Sequence, residues 1–456
     1  MHGLVLFPIM TGMFMTPEAE ADNWKDIVTA ADTVGAFPER VRKLLGSLDL
    51  TRSGLEDVRQ KWDEKNIEAA CSVLLDYYQK KERPAWLDAE TGTGQRPPES
   101  GAADDILQDI YYGYGEKGRV PRRESGHLDW TCKGPKKDLQ FSCRINRHRH
   151  LYWLFEAFRA KGDMTYAKRI DLDLRDWLVA SGGSANPEGF GPGRLEAAIR
   201  MPVWCRMFYE LQQQEDVLCP STRLLMLAAV PPHARYLRTS LRPKSNFATM
   251  QMHGLGTLGL AFPEFRQADE WIGFALKQMS AEISDQVYPD GVQKELTSSY
   301  HWVALREFDA LAEKMQRARR KLPASYRKTI ENMYGYMAGC IRPSGYSPLN
   351  NDSDLKDFRP IVLRVFARFK RKDWQWVATG GKKGSRPEGL PSRWYPWAGQ
   401  LISRSGWDGD AHWSFFDAGP FGVAHQHNDK LHLSIHAHGR DLLVDSGRFA
   451  YQGELA

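Results

Sequence analysis

A change of hydrophobic period near residue 380 limits this fold more than any other feature. From Trp24 to about Leu322, apolar residues recur at three-to-four spacing, as over 67–78, 151–160 and 166–179. Such spacing collects them on one face of an α-helix. Gly- and Pro-rich breaks at 92–98, 182–192, 231–232 and 289–291 divide the runs. Beyond the Gly/Lys-rich stretch 380–391 the pattern alternates in short runs at 400–404, 412–416, 432–436 and 441–444, with Gly turns at 407–409 and 438–439. A period of two is the signature of antiparallel strands. Helices without interleaved strands, then strands without interleaved helices, predict an α+β multidomain chain. The helical part is expected to be hairpins curled into a ring or bundle, and no fixed repeat marks a solenoid. Expected boundaries are a leader over 1–21, a helical domain over 22–380, a linker over 381–395 and the start of a β-domain over 396–456. Four strands make only part of a sandwich, so the chain is read as a fragment with its β-domain incomplete at Ala456.

Residues 4–15 are apolar, and Ala19-Glu-Ala21 has the small-x-small form of a signal cleavage site, with only His2 where a basic n-region belongs. The expectation is a secreted or periplasmic protein. No later stretch approaches the ~18 apolar residues of a membrane span. In an oxidising compartment the six cysteines can pair, Cys132 with Cys143 being the closest plausible couple; free buried thiols are the alternative. Lys and Arg number 62 against 57 Asp and Glu, a net charge of +5. That balance gives no argument for nucleic acid and tolerates an acidic substrate. The 15 Trp and 17 Tyr supply flat faces with polar handles, which suit sugar rings.

Chemistry concentrates in residues 424–438, which hold five of the 13 histidines. In an extended strand His425, His427 and Asp429 would share one face. Asp445 follows at the end of an apolar run. Imidazoles and a carboxylate on neighbouring strands can hold a divalent metal or run acid–base chemistry. His432, His436 and His438 share a face with Ser434 and read as a satisfied or solvated strand face. His253 lies on an apolar helix and reads as structural. His148 and His150, within Arg144–His150, form a basic cluster, read as a solvated helix start or a contact for an acidic glycan. Residues 350–354 (Asn-Asn-Asp-Ser-Asp) lack the Gly and distal Glu of a calcium loop and read as a loop near a cleft.

Three segments, 245–264, 289–301 and 424–447, together resemble the heparinase II/III polysaccharide lyases, most closely the heparinase III branch. Residues 194–204 also resemble a family segment. The resemblance implies an (α/α) toroid followed by an antiparallel β-sandwich, with the glycan between them. It implies β-elimination on a uronate polymer, heparan sulfate-like by preference. Asn246 would neutralise the uronate carboxylate, and Tyr300, 54 residues on, would act as base, acid or both. His425 would assist or take the proton itself, and His301 would tune Tyr300. Arg200 and Trp302 would bind substrate. His427 and Asp445 would hold a structural divalent metal, zinc favoured and calcium the alternative. Two other readings are an acidic-glycan-binding protein with a decayed site and a toroid glycoside hydrolase. The hydrolase would need two opposed carboxylates, nominally Glu295 or Asp352.

Overall fold

A computed structural model describes residues 23–89, 97–191, 193–214 and 217–448. The expected leader over 1–21 lies outside the described residues. The described residues divide into two units: those within 1–81, 95–193 and 207–233 form the first, and those within 82–94, 194–206 and 234–456 the second. Among the described residues no helix is long and apolar enough to cross a membrane.

In the first unit the predicted helices are present as Ile67–Lys80, His150–Lys161 and Met164–Ala180. Their ends follow local chemistry. The Asn66 side chain accepts the Ala69 N–H, and that of Asp163 accepts the Thr165 N–H. Gly162, at φ 70°, closes the His150 helix in the left-handed region that glycine tolerates. A short antiparallel hairpin, β1 (Ile110–Tyr112) with β2 (Lys117–Arg119), was not expected. Beneath it lies a polar core. Asp176 accepts hydrogen bonds from the Leu128 N–H and the Trp130 indole, with the His127 ring 3.1 Å away. His148 and His150 correct the surface reading: both are buried, with His148 and His150 packed by Trp130. His150 Nε2 stands 3.3 Å from Asp173, so an interior carboxylate answers it rather than solvent. All six cysteines are free, and the expected Cys132–Cys143 pair is not formed.

Pro231 and Pro232 do not break a helix, contrary to expectation: Pro220–Thr239 runs through them. An interior proline costs about 3 kcal/mol. Leu224, Leu225, Leu227, Ala234 and Leu237 are all buried on either side, and their burial offsets that cost.

The second unit carries the helices from Asn246 onward and the five-stranded sheet. The Asn246–Ala261 helix is buried nearly all round, as an inner helix must be. It packs on the Ser298–Arg317 helix through charged groups. His253 Nδ1 lies 2.6 Å from Glu307, and Lys314 donates to Thr257 and contacts His253 Nε2, both at 2.9 Å. Leu311 and Met315 crowd Gly256 from the same helix. His253 thus engages the Ser298 helix through Glu307 and Lys314, and Gly256 and Thr257 meet positions 311–315.

Among the described residues five strands form one antiparallel sheet in sequence order: β3 (Arg393–Tyr395), β4 (Gln400–Arg404), β5 (Trp413–Asp417), β6 (His432–Ala437) and β7 (Arg440–Leu443). Four match the alternating runs within a residue or so; β3 falls in the stretch read as linker, and it pairs Trp394 with Leu401. Along β4, Gln400, Ile402 and Arg404 point inward and are buried. They meet the Ala324–Cys340 helix. Tyr336 donates to the Gln400 side chain at 2.9 Å, and Arg404 donates to the Gly339 carbonyl at 3.2 Å. A β-carbon on Gly339 would lie 2.2 Å from the Tyr395 hydroxyl, so only glycine lets the sheet approach this closely. That seam fixes the strands against the Ala324–Cys340 helix, which in turn bonds to the Ser298–Arg317 helix through the Tyr326 and Tyr334 hydroxyls.

Candidate active site

Tyr300 lies in the first turn of its helix because Thr297 caps it, accepting the Tyr300 N–H at 3.0 Å. Asn246 is the first residue of the neighbouring inner helix and is buried. Both groups therefore sit at helix N-termini, where unpaired N–H groups and the macrodipole favour negative charge.

The histidine segment differs from the extended strand expected of it. Residues 418–431 are a loop, and regular pairing begins only at His432. His425 (φ 59°) and Leu431 (φ 70°) adopt left-handed backbone, which pleated pairing does not admit. At His425, a non-glycine in that region, the strain is of order 1–3 kcal/mol. The Asp352 N–H holds this conformation by donating to the His425 carbonyl at 3.1 Å.

The consequence is that the histidines part company. His425 stacks on Tyr300, ring centroids 3.6 Å apart and planes 12° from parallel. Its Nδ1 lies 2.6 Å from Glu295 Oε2. A carboxylate there makes Nδ1 the protonated nitrogen and leaves Nε2 as the basic one in the neutral ring. Glu295 is buried, and its backbone carbonyl accepts from Gln426 at 2.7 Å, so the same residue grips the loop twice. His427 turns elsewhere: Nδ1 is 3.2 Å from Asp445 and Nε2 3.4 Å from Asp352.

A second loop knits these parts together. Asn351 donates its backbone N–H to Asp445 at 2.7 Å and accepts the His427 N–H at 2.9 Å. Its amide and that of Asn350 both donate to the Leu296 carbonyl. Ser298, at the start of the Tyr300 helix, donates to the Pro348 carbonyl. Residues 350–354, expected as a loop near a cleft, join the Tyr300 helix to the histidine loop.

His301 points its ring into the interior. It is buried, Nε2 lies 3.1 Å from the Met333 carbonyl, and Nδ1 accepts the Gln293 N–H at 3.3 Å. Burial lowers its pKa to about 4. A ring that is neutral and bonded at both nitrogens supports the base of the Tyr300 helix rather than reaching a substrate. Arg200 and Trp302 are buried as well, 1% and 5% exposed. The Arg200 guanidinium lies over the Trp204 ring, and burial lowers its pKa to about 9. In this conformation neither presents surface to a glycan. His253 is bonded in the interior, as expected, and His436 is bonded to Asp441 at 2.8 Å.

His427, Asp429 and Asp445 can each offer one ligand atom, all within 4.8 Å of one another. One imidazole and two carboxylates suit a divalent cation. The family resemblance implies His427 and Asp445, while Asp429 is marked in the sequence only by its alternation. Glu295 as the partner of His425, and Asn351 and Asp352 as organisers, emerge only in the structure. No periodicity marks these residues. The one available signal was their presence in Gly/Pro- and Asn/Asp-rich loops beside a recognised tyrosine.

Comparison with known proteins places this geometry in context. The heparinase II/III N-terminus family matches residues 44–372, and the heparinase II/III-like C-terminal family matches 387–455. A heparin-sulfate lyase of Pedobacter heparinus is 28% identical over 435 residues, covering 91% of this chain and 64% of that protein. One from Bacteroides stercoris is 26% identical, covering 89% and 64%. The chain thus spans a little under two thirds of these relatives. The crystal structure of heparan sulfate lyase HepC from Pedobacter heparinus matches with a TM-score of 0.68 at 26% identity, over 91% of this chain and 66% of that one. A structure of heparinase III matches in fold with a TM-score of 0.77 at 18% identity, over 91% and 68%. The expected fold class, a helical region followed by an antiparallel sheet, is the one these structures share.

Proposed function

Because the chain belongs to the heparinase II/III family, we propose that it is a polysaccharide lyase cleaving a uronate-containing glycan by β-elimination. Heparan sulfate-like chains are the favoured substrate, in keeping with the names of its relatives. The observation that carries the reading is the Tyr300–His425 stack with Glu295 on His425 Nδ1.

The reaction breaks the C5–H bond, forms the C4–C5 double bond, breaks the C4–O4 bond and protonates O4. An ionised carboxylate beside C5 opposes the carbanion, so groups that neutralise it supply much of the rate. Asn246, with an amide donor at a helix N-terminus, suits that role. Tyr300 is the base toward C5 or the acid toward O4, and the ordinary phenol pKa of about 10 must fall for the first. The helix N-terminus and a protonated His425 stacked on the ring both favour the phenolate. Alternatively His425 takes the proton through Nε2, oriented by Glu295, and Tyr300 donates to the leaving oxygen. The hydrolase reading loses support because Glu295 is bonded to His425 rather than opposed to a second acid across a gap.

The test is absorbance of the unsaturated uronate product over a panel of acidic glycans. Growth of that band with wild type, and its loss by at least ~100-fold in Tyr300→Phe, is the expected result. Equal activity in the variant rejects the assignment, and saturable binding without a new double bond marks a glycan-binding protein instead.

A divalent ion, zinc by preference and calcium otherwise, is assigned to His427, Asp429 and Asp445 within the same proposal. It would tie the histidine loop to the segment after β7, and the elimination does not pass through it. Metal analysis should find about one equivalent. Asp445→Asn should lose it together with the stabilisation, about 2.7 kcal/mol at a hundredfold excess over Kd. Export to the periplasm or the exterior belongs to the proposal too, resting on apolar residues 4–15 and Ala19-Glu-Ala21.

A further inference from the structure

The first unit holds a concentration of positive charge that the elimination chemistry does not use. Tyr114, in the turn between β1 and β2, is half exposed. Arg147 Nη1 donates to its hydroxyl at 2.9 Å, and the Arg144 guanidinium lies 4.5 Å from its ring centroid. Burial pushes the phenol up, but Arg147, Arg144 and Arg149 together outweigh it and hold it below its ordinary value. Arg147 thus meets the phenol oxygen, Arg144 covers its ring, and Arg149 adds positive charge to the same neighbourhood.

The surroundings extend the charge. The loop carrying exposed Lys133, Lys136 and Lys137 is fastened to the hairpin, with the Lys136 N–H donating to Glu116 at 3.1 Å and Pro135 crowding Gly118. Two acids adjoin this patch, and backbone donors engage both: the Lys136 N–H on Glu116 and the Gln140 N–H on Asp138. Among the described residues Arg144, Lys133, Lys136 and Lys137 have no ion-pair partner. Like charges held this close repel one another, and a bound oxyanion relieves that repulsion. Guanidiniums also match carboxylate and sulfate geometry through paired donors. The scaffold is rigid: Arg144 ends a helix that Asp138 caps, and His148 and His150 are packed against Trp130 beneath.

We propose that Tyr114, Arg144, Arg147 and Arg149, flanked by Lys133, Lys136 and Lys137, form a second site that binds the sulfate or carboxylate groups of an acidic glycan. The choice of glycan rests on the function proposed above. Nucleic acid is the disfavoured polyanion, because Arg144 covers the Tyr114 ring that a base would need for stacking.

The experiment measures binding of fluorescent oligosaccharides to the full chain carrying Tyr300→Phe, so that turnover does not interfere. One arm uses a heparan sulfate oligosaccharide, one its unsulfated counterpart, and one single-stranded DNA of equal charge. Arg144→Gln with Arg149→Gln should weaken heparan sulfate binding at least tenfold and flatten its salt dependence, with the thermal midpoint unchanged. A loss confined to the sulfated arm assigns the site to sulfate; a loss in both glycan arms assigns it to the carboxylate. Unchanged affinity in a folded double variant overturns the proposal, as does DNA binding equal in strength and equally weakened. Tyr114→Phe keeps the guanidiniums and removes the phenol, and should change affinity less than threefold. Absence of lyase activity in wild type would reject the preceding section yet leave this binding measurement valid.

Discussion

Glu295 shows how one side chain can govern a site without meeting substrate. Its carboxylate holds His425 Nδ1 at 2.6 Å while its carbonyl anchors Gln426. Glu295→Gln keeps the second contact and weakens the first. The expected outcome is a fall in kcat of about 10- to 100-fold with KM little changed, read by steady-state kinetics on the best glycan. His301 makes a different prediction. Its pKa is about 4 in the folded protein against 6.5 unfolded, because burial disfavours the charged ring. Unfolding therefore takes up a proton between those values. Stability is full above about pH 6.5, declines as pH falls toward 4, and levels below. The loss is about 3 kcal/mol. Denaturant titrations across that range should show this slope in wild type and a flatter one in His301→Leu. An unchanged slope in the variant would assign the effect to another group.

At the scale of elements, two seams position the site, and both are chemically unusual. The inner helices are joined by His253, Glu307, Lys314 and Thr257, all buried. Removing one member of such a set leaves a buried charge uncompensated, at a cost of about 3–5 kcal/mol. Glu307→Gln should lower stability by that order and, by loosening the packing of the helix that carries Tyr300 on its neighbour, lower kcat in whatever protein still folds. The sheet seam depends on Gly339. Gly339→Ala forces Tyr395 to move and should destabilise by about 1–3 kcal/mol, measured by thermal or denaturant unfolding. A null effect would mean that β3 can shift without disturbing β4.

Over the molecule as a whole, the sheet leaves one face incompletely covered. Trp394, Leu401, Phe416 and Leu433 align across four strands, and Ile435 faces Leu443 in the next row. Trp394, Leu401 and Leu443 are exposed. A contiguous apolar face of this kind promotes association. Leu401→Lys with Leu443→Lys should reduce concentration-dependent self-association of this chain in light scattering. Persistence of association in that variant would move its origin elsewhere.

Periodicity carries secondary structure because burial of one face repeats every 3.6 or two residues, and that repetition is written locally. The helices at 67–80, 150–161 and 164–180 and the strands from β4 to β7 were accordingly readable along the chain, whereas Tyr300 entered only through the resemblance of residues 289–301 to a family segment. Pairing of single residues from distant loops leaves no such trace. That Glu295 meets His425, that Asp352 and Asn351 brace His425 and His427, and that His301, Arg200 and Trp302 turn inward were settled only when helices, loops and sheet packed together. The two prolines at 231–232 make the same point from the other side: a strong local preference gave way to the apolar surface buried around it.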